Sequence, residues 1–328
     1  MLLFGLSWAG SAQSGEAYRR GVEALAQRDY ARAAEWLHQA EDQSPGATNA
    51  SLLCAKALVH LNHYAEAEQS LRGYIKSHPG VADAQFLLGY VLFRADQPRE
   101  SLAVYTRAAA LERPAAGDLK IVGLDYVLLN DYPDAIRWLE RSVAENPADV
   151  EAVYGLGRAY YTQNVFDKSI AAFQQALKLD PLVGKAHNNL GLALAAQNRL
   201  EDAEAAYRRA IQVDLEAGKR SEQPYINLAE LLIDRNRVPE ALQLLDTARH
   251  IEPRADRIEP LRGRALLSQG RPSEAEAAFR TALATQPESG VLHYQLGRTL
   301  KRLGKNDEAA REFERSKALL GAHSASAQ

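Results

Sequence analysis

The chain has 328 residues, of which 46% are hydrophobic, 25% charged and 7% aromatic, a composition typical of folded proteins and unlike that of disordered or collagen-like chains. The formal net charge of −3 lacks the basic surplus of a general nucleic-acid binder. The single cysteine, Cys54, excludes an internal disulfide framework and a thiolate metal cage, and the sequence has no run of about 18 apolar residues, the length that a membrane-spanning helix needs.

The first 13 residues, MLLFGLSWAGSAQ, are apolar and then small, and they carry no charged side chain. This pattern is typical of the apolar core and cleavage region of a secretory signal, with Gly10, Ser11 and Ala12 as the small residues before the cut. The basic segment that opens such signals is missing, so a hydrophobic tail that frays or packs on the first helix is the alternative. We expect an exported protein, periplasmic or secreted, with a cytoplasmic location as the alternative.

The rest of the chain repeats itself, with a period of 34 residues and one longer step of 38. A small residue marks each of nine repeats: Gly21, Ala55, Gly89, Gly123, Gly157, Gly191, Ala229, Gly263 and Gly297. A second small residue follows 12 positions later, and a large apolar residue follows 4 positions after that. These large residues are Leu37, Leu71, Tyr105, Leu139, Phe173, Tyr207, Leu245, Phe279 and Phe313. Agreement in nine registers is too regular for a chance motif.

Each repeat is predicted to contain two helices. In the first half, apolar residues recur at helical spacing, as at Val153, Leu156 and Tyr160. This helix should end where residues that tolerate a left-handed backbone recur. They are Asn62, Asp96, Asn130, Asn164, Asn198, Asn236, Gly270 and Gly304. Proline then often opens the second helix. The small residue of the second helix is expected to lie against the first helix, and the large residue should fill the gap between repeats.

The pattern resembles the tetratricopeptide repeat, because Gly191, Ala203, Tyr207 and Ala210 stand where that family has its characteristic residues. The closing proline of the family pattern is replaced in three repeats, by Arg113, Leu215 and Gly321. The resemblance divides the chain into a signal-like segment, 1–13, nine repeats and a tail, 324–328. The repeats are 14–47, 48–81, 82–115, 116–149, 150–183, 184–217, 222–255, 256–289 and 290–323.

The resemblance implies an all-α fold, namely a right-handed α-solenoid superhelix of stacked antiparallel helix pairs. In that family the first helix of each pair lines a concave groove, where extended peptides or partner helices bind. One pair cannot bury its apolar face alone, so the stability of the array is expected to be a sum of nearest-neighbour terms.

Helical spacing predicts which side chains of the first helices point into the groove. They are Phe86, Tyr90, Tyr154, Arg158, Asn189, Asn227, Arg264, Tyr294 and Arg298. The groove should therefore be aromatic in its amino-terminal half and polar, with a basic end, in its carboxy-terminal half. Asn189 and Asn227 occupy corresponding places in adjacent repeats and resemble the asparagine ladder of some family members. The alternative is that the aromatic residues only pack against neighbouring repeats and that the arginines are only solvated.

No motif of a catalytic serine, a phosphate-binding loop or a dinucleotide fold occurs in a suitable context. His60 and His63 have no third metal ligand near them in the sequence, and Cys54 stands at an apolar position of its repeat. We therefore expect no catalytic, cofactor-binding or metal-binding residues.

The sequence predicts a non-catalytic scaffold that binds a peptide or protein segment in the groove, and no nucleic-acid partner. Two alternatives remain: a bacterial envelope assembly factor, and a regulatory or substrate-presenting subunit of a separate enzyme. The last predicted helix is followed only by GAHSASAQ, with no capping helix, so self-association through the carboxy-terminal edge is a further expectation.

Overall fold

The structure is a computed structural model that describes residues 5–44 and 49–326. Within those ranges it contains eighteen helices and no strand, which confirms the all-α prediction. The helices are α1 (Gly5–Ala26), α2 (Tyr30–Gln43), α3 (Ala50–His60), α4 (Tyr64–Ser77), α5 (Ala82–Arg94), α6 (Pro98–Ala109), α7 (Ala116–Leu128), α8 (Tyr132–Glu145), α9 (Val150–Thr162), α10 (Phe166–Leu179), α11 (Gly184–Ala196), α12 (Leu200–Glu216), α13 (Gln223–Asp234), α14 (Val238–Ile251), α15 (Ile258–Ser268), α16 (Pro272–Thr285), α17 (Gly290–Arg302) and α18 (Asn306–Ser326). None of these helices combines the length and the apolar character that crossing a membrane requires.

The signal-like segment lies partly outside the described residues, which begin at Gly5. From Gly5 onward the chain belongs to α1, which has 22 residues, whereas the other odd-numbered helices have 11 to 13. The first repeat is thus preceded by additional helical residues.

The ends of the first helices lie where the sequence predicts them. All eight predicted residues have a positive φ angle, between 57° and 75°. At Asn130 the next residue, Asp131, donates its N–H to the carbonyl of Tyr126 at 2.9 Å, which closes the end of α7. Arg28 has the same conformation, with φ of 60°, although arginine has no preference for it. The repeat register therefore imposes this turn in the first repeat, where the local sequence does not favour it.

The chain forms two compact units, each made of stacked helix pairs. The N-terminal unit is Met1–Val165 and contains α1–α9, and the C-terminal unit is Phe166–Gln328 and contains α10–α18. The boundary lies between the two helices of the fifth predicted repeat.

In six repeats the large residue of the second helix packs on the glycine of its own pair. A Cβ atom at Gly89 would lie 2.6 Å from the ring of Tyr105, so only glycine permits this approach. The large residue can also contact the next helix pair, as Leu139 shows. Its side chain would lie 2.6 Å from a Cβ at Gly123 in its own pair and 3.6 Å from one at Gly155 in the following pair. Leu139 therefore fills the space within its own helix pair and the space between that pair and the next one.

The odd-numbered helices lie together on one side of each unit. In the N-terminal unit α1 packs on α3, α3 on α5, α5 on α7 and α7 on α9. In the C-terminal unit α11 packs on α13 and α13 on α15. Within each unit, the even-numbered helices pack mainly against the odd-numbered helices next to them in the chain. We call the side formed by the odd-numbered helices the odd-helix face. It carries the residues that the sequence predicts for the groove.

Candidate functional site

The odd-helix face of the N-terminal unit carries a cluster of aromatic side chains. Phe86 and Tyr90 on α5 pack on the buried residues Tyr105 and Ile121, and both keep part of their surface exposed. The rings of Phe86 and Tyr105 are tilted, with centroids 6.0 Å apart. These two predicted residues therefore pack against their neighbours and also form part of the surface.

A cavity of about 370 Å³ opens between α5 and α7 at this cluster. Phe86, Leu87, Tyr90, Tyr105 and Ile121 form its aromatic and aliphatic wall. Asp118 and Lys120, at the start of α7, are its charged residues on the side of that helix. A concave apolar surface with a few polar groups is the usual form of a binding site.

The positive charge of Lys120 is neutralised by the next helix pair. Its ammonium group lies 3.0 Å from Asp149 and 2.9 Å from Glu151, at the start of α9. Burial opposes the charge of Lys120, but hydrogen bonds to these two carboxylates raise its pKa above the usual value. Burial likewise opposes the charge of Asp149, but the Ala152 N–H and Lys120 bind its carboxylate and hold its pKa below the usual value.

A buried carboxyl group lies in the core of the same helix pairs. Asp125 on α7 is fully buried, and its Oδ2 lies 2.5 Å from the hydroxyl of Ser101, which also lies 2.9 Å from the carbonyl of Gly89. A serine hydroxyl has one proton and can donate to only one of these acceptors, so both contacts are satisfied only if Asp125 is protonated and donates to Ser101. Burial raises the pKa of Asp125 to about 7, against the opposing effect of the Ser101 hydrogen bond.

The other two predicted residues of the N-terminal unit differ in exposure. Tyr154 is only 9% exposed and belongs to the core, whereas Arg158, one turn later on α9, is exposed. The packing alternative therefore describes Tyr154, and Arg158 remains a surface residue.

The C-terminal unit has an asparagine ladder, but it begins one residue earlier than the sequence predicts. The amide of Asn227 on α13 donates to Asn188 on α11 at 2.9 Å, and the amide of Asn188 donates to Asn189 at 3.3 Å. Successive helix residues are about 100° apart around the axis, and Asn188 is the one that faces α13. Asn188 therefore makes the bond to Asn227, and it also holds Asn189 next to the ladder.

One arginine of the predicted basic end, Arg264, is neutralised by acidic residues. Arg264 on α15 lies 2.7 Å from Asp234 and 3.4 Å from Glu230. Arg257, just before α15, also pairs with Glu230 and donates to the side-chain amide oxygen of Asn227 at 2.8 Å. Helical spacing does not reveal Arg257, because this residue lies just before α15. The amides and the charges thus form one network whose members satisfy each other.

Tyr294 and Arg298 lie on the surface of α17. Tyr294 is 47% exposed, and the guanidinium of Arg298 lies over its ring, 5.8 Å from the centroid. On its other side Tyr294 contacts Phe313, with ring centroids 5.7 Å apart. This pair adds an aromatic and cationic surface to α17.

Cys54, the candidate nucleophile, lies in the hydrophobic core. Cys54 is 3% exposed, and burial, followed by the charge of Glu66, raises its pKa to about 11. Such a thiol stays protonated at neutral pH and is a poor nucleophile. Its predicted place in the core is confirmed. Within the part of the chain that the structure describes, no three histidine, cysteine or acidic side chains are grouped as metal ligands.

Comparison with known families and relatives identifies the repeat. Models of the tetratricopeptide repeat match residues 24–80, 126–181, 162–219, 223–247 and 261–320, which together cover well over half of the chain. An uncharacterized protein, y4yS of Sinorhizobium fredii (strain NBRC 101917 / NGR234), is 34% identical over 85 residues, or 25% of this chain and 46% of that protein. The chain thus spans about half the length of this curated relative.

Solved structures share the fold at low sequence identity. A chain in the structure of the APC/C hetero-tetramer Cut9–Hcn1 has a TM-score of 0.59 at 12% identity. The match covers 93% of this chain and 73% of that chain. The C-terminal part of a TPR repeat-containing protein from Cytophaga hutchinsonii has a TM-score of 0.58 at 18% identity, with coverage of 74% and 98%. Pseudomonas aeruginosa pilF has a TM-score of 0.55 at 16% identity, with coverage of 65% and 95%. The chain belongs to the tetratricopeptide-repeat family, whose fold typically serves as a protein-interaction scaffold.

Proposed function

We propose that this protein is a non-catalytic scaffold whose odd-helix face binds an extended peptide or protein segment of a partner. The observation that carries the proposal is the aromatic cavity between α5 and α7, because Phe86 and Tyr90 keep exposed ring surface at the wall of a concave site. Large aromatic side chains that lose their remaining exposure on binding are the usual anchors of protein interfaces.

The C-terminal unit contributes a polar surface of a different kind. Asn227 and Arg264 are already bonded to protein groups, so a ligand that used them would have to replace existing hydrogen bonds and ion pairs. We therefore assign most of the binding free energy to the N-terminal unit, and to the C-terminal unit a lesser role in selecting among partners.

Affinity capture from the source organism followed by mass spectrometry tests this proposal. The Phe86→Ala/Tyr90→Ala double variant should fail to retain a partner that the unaltered protein retains. Tyr132→Ala, which removes a partly buried tyrosine from the even-numbered helix α8, is the matched control and should retain it. Equal retention by the double variant and the control, with unchanged circular dichroism, would place binding elsewhere.

Export is a second proposal, supported by the apolar first 13 residues and by the length of α1. Removal of residues 1–13 would leave 13 residues of α1, the length of α5, α7 and α9. An exported protein of this kind would suit envelope assembly. Cell fractionation with N-terminal sequencing should find a mature chain that begins near residue 14. A cytoplasmic chain with an intact start would contradict export.

A further inference from the structure

The wall of the α5–α7 cavity contains a buried hydroxyl group that has no hydrogen-bond partner among the described residues. Tyr105 is 3% exposed, and among the described residues its hydroxyl has no hydrogen-bond partner. Burial raises its pKa, as do the charges of Asp118 and Asp125, so the group stays a neutral phenol. An unpaired buried hydroxyl lowers the stability of the free protein, and a ligand atom that bonds to it would recover that loss.

The charges at the same cavity do not balance. Lys120 is neutralised by Asp149 and Glu151, and Asp83 is paired with Lys56 at 2.7 Å. These pairs leave the half-buried Asp118, which accepts one backbone hydrogen bond, from Ala115 at 2.9 Å, and has no basic partner among the described residues. Burial raises the pKa of Asp118, and the negative charges of Asp83 and Glu112 raise it further. The cavity thus offers an uncompensated carboxyl group.

Arg94, which contacts the cavity wall through Tyr90, is engaged by aromatic rings. Arg94 donates to the Tyr90 hydroxyl at 2.8 Å and lies over the ring of Tyr64, 4.6 Å from its centroid. It is not one of the residues that line the cavity. Arg94 therefore does not supply the charge that Asp118 lacks.

We propose that this cavity binds an arginine or lysine side chain of the partner segment. The aliphatic stem would lie along Leu87 and Ile121, and the charged head would bind Asp118 and donate to the Tyr105 hydroxyl. The ring of Phe86 adds a face for a cation–π contact. An acidic side chain would meet Asp118 and Asp83, and an apolar one would leave both polar groups unsatisfied. The inference rests on the proposed function, since it names the chemistry of the partner at the same face.

Titration of the full chain with capped tripeptides, followed by saturation-transfer NMR, tests the charge requirement. The probes are Ala-Arg-Ala, Ala-Lys-Ala, the neutral isostere Ala-citrulline-Ala, and Ala-Glu-Ala. We expect the two basic peptides to bind at least about tenfold more tightly than the citrulline peptide, and the acidic peptide not to bind. Equal binding of the arginine and citrulline peptides would overturn the proposal.

Variants separate the pocket from a general charge effect. Asp118→Asn should weaken the arginine peptide about tenfold and leave the citrulline peptide unchanged. Glu100→Gln removes one negative charge from the even-numbered helix α6 and is the matched control, which should bind as the unaltered protein does. Equal losses in Asp118→Asn and Glu100→Gln would contradict the pocket.

Tyr105→Phe distinguishes a ligand-binding role of the Tyr105 hydroxyl from a purely structural role. Because only an unpaired hydroxyl is removed, this variant should melt at a higher temperature than the unaltered protein and yet bind the arginine peptide several-fold more weakly. A lower melting temperature, or unchanged peptide affinity, would contradict the assignment of this hydroxyl to a ligand.

The failure of this proposal and of the proposed function are distinguishable. If the captured partner needs Phe86 and Tyr90 but the peptides show no preference for a cation, the pocket assignment is wrong and the scaffold proposal stands. If Asp118 governs arginine-peptide binding but the partner does not need the aromatic pair, the cavity recognises a basic side chain but is not the site of the captured partner, so the proposed scaffold site is wrong.

Discussion

The two units build opposite kinds of surface from the same helix pair. At the α5–α7 cavity of the N-terminal unit, and among the described residues, the Tyr105 hydroxyl has no hydrogen-bond partner and Asp118 has no basic partner, beside the partly exposed rings of Phe86 and Tyr90. On that of the C-terminal unit, Asn227, Arg257 and Arg264 are bonded to one another or to carboxylates. A surface that has already satisfied its polar groups gains little from a ligand, whereas an incomplete one gains more. The difference is the reason for placing the main contact in the N-terminal unit.

The largest expected effect tests whether the units are independent. Phe279 in the C-terminal unit is fully buried, and Phe279→Ala should cost roughly 3–5 kcal/mol of stability, since it leaves a cavity in a core that depends on its neighbours. Hydrogen exchange should show lost protection in α15–α18 and retained protection in α3–α8.

Leu139→Ala is the matched change in the N-terminal unit, where the side chain is also fully buried. It should produce the reverse pattern, with exchange increased in α7 and α8 and unchanged in α15–α18. A uniform loss of protection in either variant would show that the chain unfolds as one body.

The next effect concerns the protonated carboxyl group of Asp125, whose pKa of about 7 lies above the value of about 3.9 in an unfolded chain. Between these values the folded state holds one more proton, so stability should fall by about 1.4 kcal/mol per pH unit from about pH 4 to 7 and then level off. Asp125→Asn should remove this decline and stabilise the protein at pH 8. Urea unfolding at pH 5 and 8 measures it. An unchanged pH dependence would contradict the protonated state.

A smaller effect is expected from the asparagine ladder. Asn227→Ala removes the amide that joins Asn188 to Arg257 and leaves buried polar groups without partners. The expected cost is about 1–3 kcal/mol, confined to the C-terminal unit. Asn189→Ala is the control and should cost less, because it leaves the hydrogen bond between Asn227 and Asn188 in place. If urea unfolding shows that Asn189→Ala and Asn227→Ala lower the stability equally, Asn189 belongs to the ladder, as the sequence predicts.

The smallest effect is expected at the exposed ion pairs. Arg264→Gln breaks the contacts with Asp234 and Glu230, and the cost should be below about 1 kcal/mol because these side chains are well solvated. The loss should shrink further in 1 M salt. A large, salt-independent loss would show that the charges are more deeply coupled than their exposure indicates.

The sequence could predict the helix pairs because their signals are local and repeated. Asn130 and the seven other turn residues adopt positive φ, and Gly89 is overlain by Tyr105, as residue type and spacing require. Arg28 shows the limit of this reasoning, because its conformation is set by the register of the repeat and not by its own preference.

The candidate site could be predicted only in outline. Spacing places Phe86 and Tyr90 on the helix face that lines the α5–α7 cavity, but it does not show that Asn188 is the residue that bonds to Asn227. The contribution of Arg257 comes from outside the helices, and the unpaired hydroxyl of Tyr105 exists only once three helices are packed. Periodicity gives the direction of a side chain, and it does not give the partners that the side chain finds.

The most direct test is the equilibrium affinity of the captured partner for two matched double variants. Phe86→Ala/Tyr90→Ala alters the N-terminal unit, and Asn189→Ala/Tyr294→Ala alters the same face of the C-terminal unit. We predict a loss of at least about 30-fold for the first variant, which corresponds to two anchors worth at least about 1 kcal/mol each, and less than about threefold for the second. A larger loss in the second variant, or equal losses, would contradict the assignment of the main contact to the N-terminal unit.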